Sequence, residues 1–168
     1  MVISYSNISH PLIGEMLLVA DDQRLIRSSY TDSKLAPKAD KNWIHNPAHP
    51  VLEQAMSELD EYLGAKRAQF TIPLLIQGTE FQRQVYNLIL QTPVGATTSY
   101  VQLAAKLNKP RAARSVGAAI SKNPLLIFIP DHRVLNRDGS VGGFAGTWNR
   151  KPGLLELEKR LTAQAGKI

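Results

Sequence analysis

The chain has 168 residues, 43% hydrophobic and 20% charged, and no cysteine, so it has the composition of a globular protein of one domain or two small ones. Without a thiol, disulfides, thiolate metal sites and thiol catalysis are excluded. The net charge of +6 is uneven: residues 1–76 hold 7 Lys/Arg against 9 Asp/Glu (net −2), and residues 77–168 hold 13 against 5 (net +8), which predicts a polyanion partner for the second half.

No run approaches a membrane span and the N-terminus has no signal-peptide pattern, so no membrane partner and a reducing, cytoplasmic setting are expected. Residues 2–8, 14–20 and 25–30 are apolar-rich segments separated by turn signals (His10-Pro11, Asp21-Asp22), and they predict an antiparallel meander. Residues 31–48 are polar, with Pro37 and Pro47, and read as a loop. Pro50 opens a predicted helix whose Leu52, Met56, Leu59 and Leu63 form one apolar stripe, ending at a Gly64 cap. Residues 70–75 read as a further strand. His10, His45 and His49 have no evident partners, and the whole of residues 1–76 reads as an α/β scaffold.

Gln77-Gly78 marks the expected domain boundary, giving domains of 1–76 and 77–168. Thr79 and Gln82 form a capping box for a helix with Phe81, Val85, Leu88 and Ile89 inward, closed by Thr92-Pro93. A second capping box, Ser99 with Gln102, opens a short helix with Leu103 and Leu107 inward. After the turn at Asn108-Lys109, Pro110 starts another helix to about Ser121, and the pair reads as a helix-turn-helix. On its second helix Ala113, Val116 and Ile120 share one face, while Arg111, Arg114, Ser115, Ala118 and Lys122 share the other. Five basic residues and no acidic one lie between Thr97 and Lys122. Small side chains there permit close approach of a nucleic-acid backbone, and the flanking cations suit phosphates.

Residues 125–129 form an apolar run that predicts a short strand buried on both faces. Asn123 precedes it, and Pro130-Asp131-His132-Arg133-Val134 follows, aiming titratable groups from a strand end. A Gly-rich turn, Asp138 to Gly143, comes next. The last helix is expected from Arg150 to about Gln164, with Leu154, Leu155, Leu157 and Leu161 inward and Glu158 on it.

Pro130-Asp131-His132-Arg133-Val134 resembles the Pro-Cys-His-Arg-Val signature of O6-alkylguanine-DNA alkyltransferases, with aspartate at the nucleophile's place, and the resemblance runs from Thr79 to Glu158. The family also contains alkyltransferase-like proteins that lack the cysteine. The resemblance implies an α/β (α+β) fold: a small N-terminal domain on an antiparallel sheet and a mainly helical C-terminal domain with a helix-turn-helix. It implies a monomer without cofactor or metal that binds double-stranded DNA holding an alkylated base and works with downstream repair proteins. Arg114 matches the arginine that fills the gap left by the rotated nucleotide, and Tyr100 the tyrosine that helps to rotate it. His132 and Glu158 match the histidine and glutamate of the proton relay, Asn123 the asparagine that supports it, and Pro130, Val134, Phe144 and Ala145 the base pocket. Phe144-Ala145 departs from the usual tyrosine-serine or tyrosine-alanine pair.

Asp131 decides the chemistry. A carboxylate is a far weaker nucleophile toward saturated carbon than a thiolate, so binding and extrusion of O6-alkylguanine-type bases without alkyl transfer is the first expectation. The carboxylate also repels the lone pairs of guanine O6 and accepts from an exocyclic amine, unless Glu158 holds it protonated by like-charge repulsion. Other readings stay open: a hydrolase using Asp131 and His132, an active methyltransferase or one disabled by an engineered aspartate, and a regulator that binds DNA without flipping a base. An Asp-His-Glu metal site is disfavoured, because adjacent ligands on an extended chain point apart.

Overall fold

The computed structural model describes residues 1–33, 36–141 and 149–165. The chain divides into two compact units, residues 1–75 with 124–128, and residues 76–123 with 129–168. The five-residue segment 124–128 thus belongs to the first unit, although sequence reasoning assigns it to the C-terminal half.

The first unit is built on β1 (Ser4–His10), β2 (Gly14–Ala20) and β3 (Leu25–Tyr30), an antiparallel meander. A two-residue strand, β4 (Ile44–His45), lies in the segment expected to be loop and pairs in parallel with β1, giving the order β3-β2-β1-β4. Residues 16–20 of β2 are all buried, as an inner strand requires when both its faces are covered. Helix α1 (Pro50–Leu63) packs on β1 and β2 through Leu52, Ala55, Leu59 and Tyr62.

Several local expectations need correction here. His49 does have a partner, because its Nδ1 accepts from Val51 N at 3.2 Å and caps α1; His10 Nδ1 likewise accepts from Leu12 N at 3.0 Å. Gly64 is the C-cap of α1, as expected, but its φ is −83° and the left-handed residue is the following Ala65 (φ 58°). Residues 70–75 form no strand and contribute one bridge, Leu74 to Leu25. The apolar run 125–129 is no strand either. Leu125 bridges Ser28 of β3, the Ser28 hydroxyl donates to the Leu126 carbonyl at 2.8 Å, and Ile127 turns the chain at φ 73°. An apolar run of this kind places its residues inside, as it does here for all but the half-buried Leu126, without fixing the backbone conformation.

The second unit begins with α2 (Glu80–Leu90), whose capping box joins Thr79 and Gln82 as expected. Val85 and Ile89 are buried, Phe81 and Leu88 only half-buried, and Tyr86 is buried with its hydroxyl donating to the Ala119 carbonyl at 2.7 Å. Strand β5 (Thr98–Ser99) runs into α3 (Tyr100–Lys106). Ser99 Oγ accepts from Gln102 N, but the Gln102 side chain bonds Thr98 instead of closing the box. A turn with Asn108 at φ 58° leads to α4 (Ala113–Ser121), which starts three residues later than expected because Lys109 to Ala112 is folded as a turn. A 3₁₀ turn over Asp131–Arg133 leads into β6 (Val134–Leu135), paired in parallel with β5, and α5 (Lys151–Ala165) follows. On α5 the buried stripe is Leu154, Leu157, Glu158 and Leu161, while Leu155 is half-buried.

Candidate DNA-binding site and polar centre

The polar centre forms because the 3₁₀ turn places consecutive side chains against α5. Glu158 is 1% exposed, on a helical stripe that otherwise carries leucine, and a charge there requires partners. It has them. Arg133 Nε donates to Oε1 at 2.8 Å and Arg133 Nη2 to Oε2 at 2.9 Å, a two-pronged clamp. His132 Nε2 lies 2.6 Å from Oε2. A glutamate that accepts from a guanidinium on both oxygens is ionised, so Nε2 carries the proton and donates it. Arg133 Nη1 also donates to the Thr92 carbonyl at 2.6 Å, fixing the end of α2.

Asn123 is buried, and its Nδ2 donates to the Ile129 carbonyl at 3.0 Å and to Asp131 Oδ2 at 3.1 Å. Burial pushes the Asp131 carboxyl above its ordinary range, and the Asn123 bond and the charges of His132 and Lys151 offset only part of this. Of the two alternatives open from the sequence, a raised Asp131 has this direction but another cause: desolvation raises it, and Glu158 is engaged by Arg133 and His132. Burial lowers Lys151, with Asp131 pulling the other way. Burial, and then the Asp131 charge, raise the phenols of Tyr86 and Tyr100.

Tyr100, at the first position of α3, is half-buried. Its ring centroid lies 5.9 Å from Lys151 Nζ, and Gly117 of α4 sits against its edge. Gly117 and Arg114 are three residues apart and share a face of α4, so one helix face links the exposed Arg114 to the tyrosine that feels the Asp131 charge. Arg111, Arg114, Ser115, Ala118 and Lys122 are all exposed, and the inward residues of α4 are Val116, Ala119 and Ile120, with Ala113 only half-buried. Lys109, Pro110, Arg111, Ala112 and Ser115 line an open depression of about 430 Å³. Pro130 and Val134 are buried, Val134 completely and paired with Thr98. Phe144 and Ala145 lie outside the described residues. Among the described residues, no three His, Asp or Glu side chains converge as a metal site, and no helix is long and apolar enough to cross a membrane.

Sequence reasoning missed three participants. Arg133 stands inside the motif, and a charged residue flanked by buried positions is a signal for a buried ion pair. Tyr86 continues the inward stripe of α2, three residues before Ile89. Lys151 carried no local sign, since only the fold brings the start of α5 near residue 131.

An α/β protein whose second unit pairs two short basic-faced helices with a buried His-Glu-Arg cluster is the class defined by this geometry. The chain belongs to the 6-O-methylguanine DNA methyltransferase family: its residues 3–76 match the family's ribonuclease-like domain and residues 80–160 its DNA binding domain. It is 38% identical over 147 residues to the methylated-DNA–protein-cysteine methyltransferase of Mycobacterium leprae, covering 88% of this chain and 87% of that protein. The inducible methylated-DNA–protein-cysteine methyltransferase of Bacillus subtilis is 45% identical over 113 residues, 67% of this chain and 63% of that protein. The crystal structure of Mycobacterium tuberculosis OGT in complex with DNA superposes with a TM-score of 0.84 at 32% identity, covering 94% of each chain.

Proposed function

We propose that this protein is a DNA-repair-associated, DNA-binding member of its family that extrudes an alkylated, O6-alkylguanine-type base and holds it without taking the alkyl group. The observation that carries this reading is the centre itself. Asn123, His132 and Glu158 keep a hydrogen-bonded frame, while the acceptor position holds Asp131 in a chain without cysteine. The helix pair α3–α4 acts as the helix-turn-helix: Arg111, Ser115, Ala118 and Lys122 face the backbone, and Arg114 occupies the gap left by the rotated nucleotide. Tyr100, between that face and Asp131, guides the nucleotide inward. Domains 1–76 and 77–168 divide the labour into scaffold and DNA binding, and the monomer marks the lesion for a downstream repair activity.

The test is a methyl-transfer assay on duplex DNA carrying labelled O6-methylguanine, run beside a binding measurement. Retention of the duplex with no label on the protein is the expected result, and label on Asp131 refutes it. Arg114→Ala separates extrusion from plain DNA binding. A flipping protein loses preference for the lesion, by about tenfold on the scale of one lost charged contact. A regulator that only grips DNA loses affinity for every duplex alike.

A further inference from the structure

The reading above leaves open which substituent the site prefers on the extruded base, and the groups around Asp131 bear on that choice. Asp131 Oδ2 accepts from Asn123, whereas no hydrogen bond reaches Oδ1 among the described residues. Asp131 is half-buried, and its second oxygen keeps an acceptor that no described residue uses. The Tyr100 hydroxyl makes no hydrogen bond among the described residues, and the Lys151 ammonium over its ring makes no direct ion pair there. Tyr86 is not available as a donor, because its hydroxyl is spent on Ala119. The site therefore offers one bare carboxylate acceptor beside two donors.

A base with a complementary edge carries an N–H donor next to a ring-nitrogen acceptor. An alkylated exocyclic amine keeps one N–H and has that neighbour, whereas an O6-alkyl ether turns lone pairs toward the carboxylate. N6-methyladenine and O6-methylguanine have nearly the same shape at this position, a methyl group on a single bridging atom. What separates them is whether the bridging atom donates or accepts. We infer that the site prefers bases alkylated on an exocyclic amine, with Asp131 accepting the remaining N–H and Lys151 or Tyr100 meeting the adjacent ring nitrogen. Lys151 then acts as a specificity-determining residue. The inference rests on the proposal that an extruded base is held beside Asp131.

The groups facing Asp131 are His132 on its own turn, Lys151 on α5, Tyr100 on α3 and Tyr86 on α2. A proton on Asp131 converts the acceptor into a donor, so the comparison is made at about pH 8, far above the ordinary carboxylate range. The experiment titrates the full chain against three duplexes that differ at one pair: N6-methyladenine, O6-methylguanine or the unmodified base. Fluorescence anisotropy gives affinity, and a neighbouring 2-aminopurine reports extrusion.

The N6-methyladenine duplex is expected to bind about tenfold more tightly than the O6-methylguanine duplex, the scale of one hydrogen bond to a charged group. The isosteric Asp131→Asn, whose amide also donates, removes or reverses that ratio. Tighter binding of O6-methylguanine with a 2-aminopurine rise overturns the inference and leaves extrusion standing. A ratio unchanged in Asp131→Asn also overturns it, since the preference then arises elsewhere. Equal affinity for all three duplexes with no fluorescence change overturns both the inference and the extrusion reading.

Discussion

Each unit buries one glutamate on a helical stripe of apolar residues, and the two are held in opposite ways. Glu58 lies on α1 between Ala55 and Leu59, Glu158 on α5 between Leu157 and Leu161. Glu58 accepts from the backbone N–H groups of Thr71 (2.7 Å) and Ile72 (3.2 Å), the Thr71 hydroxyl (2.8 Å) and Gln54 (2.7 Å). Burial alone raises its pKa, but these bonds outweigh it and hold the carboxyl below its usual value. This is a staple for the chain leaving the sheet unit, made mostly of groups that never change charge. Glu158 is held by Arg133 and His132, side chains from one 3₁₀ turn that also presents Asp131. One carboxylate fixes backbone, and the other fixes a functional group.

The comparison is broken most forcefully at Glu158. Glu158→Ala leaves a guanidinium buried without its counter-ion, and removing one member of a buried pair costs about 3–5 kcal/mol. The melting temperature is expected to fall by roughly 10 °C in a chain of this size, and lesion binding to fail as the 3₁₀ turn loses its anchor. Loss of less than about 1 kcal/mol on chemical denaturation contradicts a clamp of this kind.

Glu58→Ala is the matching cut in the sheet unit. Two backbone donors and a hydroxyl lose their acceptor at once, and unsatisfied buried donors cost about 1–3 kcal/mol each before water repairs some of the loss. A net loss of about 2–3 kcal/mol is expected. Below the melting transition, DNA affinity stays within about twofold, because charge in this staple is not tied to the reactive turn. A large fall in lesion selectivity in Glu58→Ala defeats the division of roles drawn here.

Much of this was legible in the sequence, and the failures are instructive. The meander, α1, α2 and α5 emerge from periodicity and capping because local rules and burial agree there. Asn123, His132 and Glu158 follow from the family resemblance, and the fold brings Asn123 to Asp131 and His132 to Glu158. Residues 125–129 and 70–75 misled, because apolar runs report depth and not conformation. Both are segments tied to β3 by a single bridge rather than a ladder. Lys151 was invisible because its meaning lies in a long-range approach of twenty residues that no spacing encodes. Arg133 was in plain view, yet its pairing with Glu158 needed the turn that points both His132 and Arg133 at one carboxylate.

The smallest effect sharpens the contrast most, because it concerns the one acidic group of the reactive turn that is poorly satisfied. Asp131 has an ordinary value of 3.8 that burial raises, and among the described residues Asn123 alone bonds its carboxylate. Between the ordinary and the raised value, the folded protein holds a proton that the unfolded chain has released. Stability contributed by this group is therefore full below the ordinary value and lost as pH rises through the folded value. Asp131→Asn keeps the shape and the Asn123 contact and removes the titration. The variant should be more stable than the wild type at neutral pH by about 1 kcal/mol, a few degrees in melting temperature, and the gap should close as the pH falls toward 4. Lys151 limits the gain. Its lowered value makes its own contribution rise with pH up to the ordinary 10.5, and losing the Asp131 charge leaves the ammonium less supported. A variant less stable than the wild type at neutral pH means that attraction to Lys151 outweighs burial. Asp131 would then be a paired residue like Glu158, and the open acceptor on which base selection is argued would not exist.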